Sequence, residues 1–351
     1  MAETLAPGRL GTEAAHPTAI PDTGWWAILK RVWQASSEKG LWVAAAGVAF
    51  FAFYALVPML AVLVLTYGQL VGSDPVQAQM HELGAVFPEE AMRAMFGQLM
   101  GTARGSGDRF GWGLVGSLVM LLWSVLFAMR ALIAGLNHAY HETETRGFLA
   151  LNGRAVLLGL GALGLVVGSV GLLTPGPALF SDAVLGPSWG GLVRIGRWPF
   201  LGVFLVVMLA VCYRIGPCRA TPKWRWVSWG AVAAAALWLL ASLGFSLYVR
   251  QIAHYEAAYG LAGAVLTVMI WLYLLAYAVL LGAALNAETE RQTCVDTTVG
   301  ADRPIGARGA KAADRKPRRP VPLLSRRGGS GGSGLRDPGG KSCVRTSGSV
   351  V

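Results

Sequence analysis

Two histidines are the residues of this chain whose types and spacing come nearest to metal or catalytic chemistry. His138 and His141 lie in NHAYHETE, beside Glu142. Such a pair on one helix face could ligate a metal ion, but no pattern for a third ligand accompanies it. Polar residues are also expected where a helix leaves an apolar layer. We therefore expect no metal site, no cofactor and no catalytic residue.

Other enzyme fingerprints are missing from the sequence, which lacks a Walker loop, HExxH, GxSxG and the Rossmann pattern. The glycines of LLGLGALGLVVGSVG have apolar neighbours, and Gly164 with Gly168 forms GxxxG, a pattern typical of close helix packing in membranes. The cysteines show no CxxC spacing and are expected to be free thiols: Cys212, Cys218, Cys294 and Cys343.

An arginine inside an apolar segment is a stronger sign of function. Arg130 precedes Asn137 by two helical turns, so both lie on one helix face. The arginine could extend its side chain towards lipid phosphate, or it could pair with Glu288, which another apolar segment delivers to the same depth together with Asn286. We expect a polar site here that binds an anionic headgroup or solute.

A proline inside the first apolar segment is the second such sign. Pro58 has no amide hydrogen, so the carbonyl of Tyr54 loses its usual helical partner. A freed carbonyl within a membrane could bind an ion or a substrate, and a simple packing kink is the alternative. We include Tyr54 and Pro58 in the predicted polar site.

The composition indicates which elements must position these residues. Hydrophobic residues make up 54% of the chain and charged residues 14%, whereas a soluble domain carries about 25% charge. The apolar residues form long blocks, which are typical of membrane-spanning helices. We predict an all-α membrane protein, a bundle of six transmembrane helices within residues 41–290: Leu41–Val71, Phe110–Ala131, Ala155–Leu173, Trp198–Ile215, Val227–Val249 and Ala262–Leu285.

The distribution of Lys and Arg predicts the orientation of these spans. With the C-terminal tail left out, the segments on the side of the termini hold 10 basic residues and the opposite loops hold 6. Basic residues are enriched in cytoplasmic loops. Both termini are therefore predicted on the cytoplasmic side of the membrane.

The remaining segments are predicted from their amphipathicity or polarity. Residues 24–40 are expected to form an interfacial amphipathic helix, with Trp25, Ile28, Leu29 and Val32 on one face. In the first external loop, FPEEAMRAMFGQLMG has helical apolar spacing and predicts a second amphipathic helix. Residues 1–23 are expected to be a disordered lead. Residues 291–351 are expected to be a disordered basic tail that contacts anionic headgroups of the inner leaflet.

Four stretches of the sequence resemble a known family: FYALVPMLAVLVLTYG, LNHAYHETETRGF, YRIGPCRATPKWRWVSWGAVAAAALWLLASLGFSLYV and YGLAGAVLTVMIWLYLLAYAVLLGAALNAE. Over about residues 40–291 the chain resembles the YihY/BrkB family of polytopic bacterial membrane proteins, once labelled ribonuclease BN. The resemblance implies six spans in the inner membrane and no firmly established molecular activity. The family's usual acidic residue before the terminal Leu-Asn is Ala284 here, which argues against a carboxylate function at that position.

Three classes of function are then open. A transporter or a protein that handles lipids or anionic solutes would use the polar residues to line a path, and we favour this class. A membrane scaffold or envelope-maintenance protein would use them only for packing. A ribonuclease is disfavoured because no loop is long enough for a catalytic domain, and the high pI reflects tail and topology rather than nucleic-acid binding. Membrane lipids are the expected partners.

Overall fold

Helices make up most of the part of the chain that the structure describes. The computed structural model describes residues 11–38, 40–71, 108–173, 182–251 and 261–315. Within these ranges the backbone forms no strand, only one isolated bridge between Pro222 and Thr298. A 3-10 turn at Pro17–Ala19 precedes the helices α1 Asp22–Glu38, α2 Leu41–Val71, α3 Asp108–Tyr140, α4 Phe148–Leu173, α5 Asp182–Ile215, α6 Trp224–Gln251, α7 Leu261–Glu290 and α8 Lys311–Asp314.

Helices α2, α3, α4, α6 and α7 are each long and apolar enough to cross a membrane. Helix α5 carries a shorter apolar stretch, Pro199–Ile215, which corresponds to the predicted fourth span. The prediction of an all-α membrane protein is confirmed, and the count of six spans stays a prediction. Part of the chain is outside the described ranges, including the predicted helix in FPEEAMRAMFGQLMG, residues 1–10 and residues 316–351.

Helix α7 lies at the centre of the bundle. Half of its apolar stretch is buried, against 28% or less for the other spans. It packs against α6, α2, α3 and α1, with α6 as a principal neighbour. A helix that is apolar on every side, as α7 is, belongs inside such a bundle rather than on its surface.

Glycine allows α6 and α7 to approach closely. A Cβ added to Gly230 would lie 2.4 Å from the Gly282 carbonyl oxygen and from the Asn286 side chain. The Tyr213 hydroxyl of α5 donates to the Val279 carbonyl at 2.7 Å beside this crossing. Among the described residues, none lies within 4 Å of a Cβ added to Gly164 or Gly168, the glycines predicted to mediate packing. The described part of the bundle therefore does not use these two glycines for a close helix contact.

One end of the bundle is covered by non-membrane segments, and we call it the capped end. Residues 11–20, the loop 216–223 and residues 291–315 meet there. The backbone amides of Ala220, Lys223 and Val299 donate across these segments to Gly309, Thr297 and Thr221. Cys294 donates its amide to the Thr12 carbonyl at 2.7 Å, and the Thr293 hydroxyl donates to Ala14 at 2.7 Å.

This order differs from the sequence prediction for both chain ends. Residues 291–315 were expected to be disordered, yet Gln292, Thr297 and Arg308 are buried there. Arg308 donates to four backbone carbonyls, those of Cys294, Val295, Arg303 and Ala313. Residues 11–20 were expected to be part of a disordered lead, yet Ile20 is buried in the main core. The polar residues here are ordered because they bond to one another.

Helix α1 combines the two arrangements considered for it. Ile28, Val32 and Ala35 are buried against the bundle. A hydrogen bond between the Ser36 hydroxyl and the Tyr277 hydroxyl joins α1 to α7. Trp26 and Trp33 are 73% and 75% exposed on the outer face, together with Leu29. The predicted apolar face therefore divides, with Ile28 and Val32 inside and Leu29 outside.

Candidate functional site

A groove between α2, α3 and α4 contains two residues of the predicted polar site. Its volume is about 310 Å³. The lining residues are Phe51, Phe127, Arg130, Ala131, Ile133, Ala134, Asn137, Glu144 and Leu151. Arg130 and Asn137 lie in it together because two helical turns separate them on α3. Six of the nine lining residues are apolar, so the polar groups occupy a small part of the wall.

A closed hydrogen-bond network forms the polar end of the groove. The Asn137 amide donates to Glu144 at 2.8 Å, and its oxygen accepts the Cys218 backbone amide at 2.7 Å. Arg146 donates to both Glu144 carboxylate oxygens at 2.6 Å and to the Gly216 carbonyl at 2.8 Å. The network joins the loop after α3 to the loop after α5 and fixes the Asn137 side chain.

This network stabilises the ionised form of Glu144. Hydrogen bonding from Arg146 is the largest effect, and together with Asn137 and the nearby guanidinium charge it lowers the pKa of Glu144 from 4.5 to about 2. Burial acts in the opposite direction but is weaker. Hydrogen bonds to the ionised form favour it, so Glu144 carries a negative charge throughout the physiological pH range.

Arg130 differs from the other charged residues of the groove. Its side chain is half-buried, and its guanidinium lies 5.9 Å from the centre of the Phe127 ring. The described residues provide it with no salt bridge. A cation–π contact alone contributes about 0.5–2 kcal/mol. Arg130 is thus a cation in an apolar groove without an anionic partner in the described part of the chain.

Arg130 does not pair with Glu288, which was one of the two possibilities raised from the sequence. Glu288 accepts from Arg31 of α1 at 2.9 Å and from Arg291 at 2.9 Å. Arg31 also donates to Gln292 at 2.6 Å. Glu288 therefore attaches α1 to the end of α7, on a face of the bundle that does not line the groove.

Asn286 also lies apart from the groove. Its oxygen accepts the Gly230 amide at 2.8 Å and its amide donates to the Val227 carbonyl at 3.1 Å, so it joins α6 to α7. Of the other two predicted residues, Pro58 is buried within a continuous α2, and Tyr54 is exposed on the surface of that helix. Neither lines the groove. The six predicted residues thus fall into separate environments.

A buried ion pair at the capped end was not foreseen. Arg219 donates to the two Glu290 carboxylate oxygens at 2.9 and 2.7 Å, and both side chains are 0% exposed. Arg219 also covers the Tyr140 ring at 4.2 Å. A signal existed in the sequence, since Glu290 ends an apolar helix and Arg219 is in a basic loop, but nothing local indicated that the two meet.

The segment with His138 and His141 and the cysteines were the other residues examined for chemistry. Among the described residues no group of three His, Cys, Asp or Glu side chains could hold a metal ion. Glu142 instead accepts the Lys311 backbone amide at 2.6 Å, and burial raises its pKa. Cys212 and Cys218 are free thiols, as expected. Cys343 is outside the described residues.

Comparison with known proteins places these features in a family. A protein of Bacillus subtilis named as ribonuclease-like, YfkH, is 29% identical over 69% of this chain and 87% of its own length. An Aeromonas salmonicida UPF0761 membrane protein is 26% identical over 73% of this chain and 86% of its length. An Alcanivorax borkumensis UPF0761 membrane protein is 28% identical over 71% of this chain, which spans only 56% of that relative.

No solved structure matches the chain. The family model described as virulence factor BrkB matches residues 32–304, which include α2 to α7 and most of the capped end. Because this match extends over most of the sequence, the chain belongs to the virulence factor BrkB family of membrane proteins.

Proposed function

We propose that this membrane protein binds an anionic ligand, either a lipid headgroup or a solute, at Arg130 in the groove, as part of transport or lipid handling. The observation that carries the proposal is the half-buried Arg130 guanidinium, which has no carboxylate partner among the described residues and lines an apolar groove. Arg146 and Arg219, two other arginines near this end of the bundle, are each paired with a carboxylate, and the Arg214 guanidinium covers the Trp224 ring at 4.2 Å and does not line the groove.

The depth of Arg130 makes a counter-charge favourable. Helix α3 ends at Tyr140, so a rise of 1.5 Å per residue places the Arg130 backbone about 15 Å from that end. If that end lies at headgroup level, the Arg130 backbone lies several ångströms inside the hydrocarbon layer, because each interfacial region is only about 5–8 Å thick. A charge at the centre of a span costs about 2.5–3.5 kcal/mol on insertion scales. An anion bound in the groove would offset that cost.

The carboxylate that lines the groove does not supply this counter-charge. Both Glu144 oxygens accept from Arg146, and one also accepts from Asn137. The pair of Glu144 and Arg146 is electrically neutral as a unit. Arg130 therefore supplies the groove's uncompensated positive charge among the described lining residues.

Orientation and location belong to the same proposal. The capped end bears Arg214, Arg219, Lys223 and Arg225 in one short stretch, and such loops favour the cytoplasmic side. We place the capped end in the cytoplasm and the bundle in the bacterial inner membrane. Residues 316–351 would then lie beside anionic headgroups of the inner leaflet, which attract basic segments.

We further propose that the protein is not an enzyme. The name of the Bacillus subtilis relative, ribonuclease-like, belongs to that protein. Hydrolysis of RNA by a metal-dependent route requires a cluster of ligands to hold the ion, and the capped end uses its carboxylates instead to accept amides and guanidinium groups. Purified protein incubated with RNA and divalent metals should leave the RNA intact, and cleavage that co-purifies with the chain would contradict the proposal.

The anion-binding proposal is tested by three substitutions in the purified full chain. Arg130→Leu should abolish saturable binding of short-chain phosphatidylglycerol and of glycerol 3-phosphate, and Arg130→Lys should retain part of it. Arg154→Leu is the matched control, because Arg154 is an exposed arginine on α4 outside the groove lining. Monodisperse elution of each variant checks its folding. Anion binding that is equal in the wild type and Arg130→Leu would refute the proposal.

A scaffold function is the alternative, and the outer face of α1 favours it. Trp26 and Trp33 are exposed there beside Leu29, and such a face can lie in the membrane interface or contact a partner. A scaffold would retain its cellular phenotype with Arg130→Leu and lose it when Trp26 and Trp33 are both replaced by Ser. The opposite pattern supports anion binding.

A further inference from the structure

We infer that the ligand of the groove is a lipid with a singly charged phosphodiester, whose phosphate contacts Arg130 and whose acyl chain lies along the aromatic wall. This inference rests on the proposed function and names the ligand class for the same site. Three features carry it: the apolar wall, the single available positive charge, and the order of these groups along α3.

The apolar wall is more extensive than a small anion requires. The Phe51 and Phe127 rings stack with centres 5.9 Å apart, and Trp123 packs on Phe127 at 5.4 Å. Ala131, Ala134 and Leu151 continue the apolar lining. A soluble anion at Arg130 would make no contact with these groups, whereas the acyl chain of a lipid would pack along them. Burial of apolar surface contributes about 25 cal/mol for each Å².

The available charge limits the ligand to one negative charge. Arg130 contributes one positive charge, and among the described lining residues the other charged side chain is Glu144, whose charge Arg146 balances. A doubly charged phosphomonoester would leave one negative charge without a counter-charge, and an unpaired charge is costly where the dielectric constant is low. A phosphodiester carries the single charge that the groove can neutralise.

The order of groups along α3 matches the shape of an amphiphile. Asn137 and the Glu144 network are nearest the capped end, Arg130 follows about 10 Å deeper, and Phe127 and Trp123 are deeper still. A lipid placed with its phosphate at Arg130 therefore directs its headgroup alcohol to Asn137 and Glu144. Its acyl chain then runs past Phe127 towards the middle of the bilayer.

The test compares four compounds on the purified full chain in an uncharged detergent, by native mass spectrometry: dihexanoyl phosphatidylglycerol, dihexanoyl phosphatidic acid, glycerol 3-phosphate and dihexanoyl phosphatidylcholine. Phosphatidylglycerol should bind at least about tenfold more tightly than glycerol 3-phosphate, because burial of two methylenes already exceeds that factor. It should also exceed phosphatidic acid and phosphatidylcholine, and Arg130→Leu should remove the difference.

Phe51→Ala is the second variant. It should weaken phosphatidylglycerol binding and leave glycerol 3-phosphate unchanged, since Phe51 belongs to the aromatic wall, whereas the Arg130 guanidinium lies against the Phe127 ring. Equal, Arg130-dependent binding of glycerol 3-phosphate and phosphatidylglycerol would overturn the lipid inference and leave the anion site intact. Tighter binding of phosphatidic acid would overturn the single-charge argument. If no compound binds in an Arg130-dependent manner, the inference and the proposed function both fail.

Discussion

Replacing Glu290 by Gln should destabilise the protein strongly, because it leaves a buried arginine without its counter-charge. Arg219 and Glu290 are 0% exposed, and two hydrogen bonds of 2.9 and 2.7 Å join them. The Thr297 hydroxyl donates a third bond to the same carboxylate at 3.1 Å. Burial is the largest single effect and lowers the pKa of Arg219, but the charge and hydrogen bonds of Glu290, together with Tyr140 and Glu142, raise that pKa overall. Removing one partner of such a pair costs about 3–5 kcal/mol.

Thermal unfolding of purified protein, followed by tryptophan fluorescence, measures this effect. With about 2 °C per kcal/mol for a chain of this size, the midpoint should fall by about 6–10 °C. Asp302→Asn is the matched control, since Asp302 is 69% exposed and lies 3.6 Å from Lys223. An exposed pair contributes about 0.2–1 kcal/mol, so this variant should shift the midpoint by about 2 °C or less.

A double variant separates the lost charge pairing from lost packing. Arg219→Met combined with Glu290→Leu removes both charges, and it should recover most of the stability that Glu290→Gln loses. If Glu290→Gln shifts the midpoint no more than Asp302→Asn does, the buried pair does not stabilise the capped end. If the double variant is as unstable as Glu290→Gln, the unpaired charge is not the cause.

Three further changes test other parts of the structure by the same thermal assay. Gly230→Ala should destabilise by about 1–3 kcal/mol, because its Cβ would meet α7 at 2.4 Å, whereas Gly164→Ala meets nothing within 4 Å and should be neutral or slightly stabilising. A chain that ends at residue 294 should be less stable than one that ends at 315, because it lacks the Thr297 bond to Glu290. The folded-state pKa of Glu144 is lowered from 4.5 to about 2, so its stabilisation is present above about pH 4.5 and lost as the pH falls towards 2. Glu144→Gln should remove that acid dependence, and an unchanged pH profile would contradict it.

The spans were predictable because they depend on local composition. Helix α2 has the predicted bounds, Leu41–Val71, since a long apolar block specifies a helix without reference to other segments. The second span was predicted to end at Ala131, yet α3 continues to Tyr140. The last turns of α3 are polar on one side and gain stability from packing under the capped end. The length of an apolar block does not reveal such a continuation.

The capped end could not be predicted, because its contacts join residues that are far apart in the chain. The amide of Lys223 bonds to Thr297, and Arg31 bonds to Glu288 across 257 positions. Residues 291–315 have a composition typical of disorder, and they are ordered because Asp296 and Asp314 accept several backbone amides. Composition measures the apolar surface available, not the pairing of polar groups.

The candidate site was predictable only along one helix. Helical periodicity placed Arg130 and Asn137 on one face, and the groove contains both. The same reasoning offered Glu288 as one possible partner of Arg130 by depth alone, but Glu288 bonds to Arg31 of α1 instead. Depth in the membrane gives one coordinate of a side chain, and the position around the bundle axis depends on helix packing.

The bonds from Thr293 and Cys294 to Ala14 and Thr12 have a consequence for biosynthesis. Thr293 and Ala14 are separated by 279 positions, so at about 5–20 residues per second the ribosome needs about 15–55 s to supply the second partner. During that interval the Thr12 and Ala14 carbonyls lack the Cys294 amide and the Thr293 hydroxyl that donate to them in the folded protein. The bonds can form only after α7 has been made and has reached the bundle. Closure of this segment therefore distinguishes a chain that extends past α7 from a shorter nascent one.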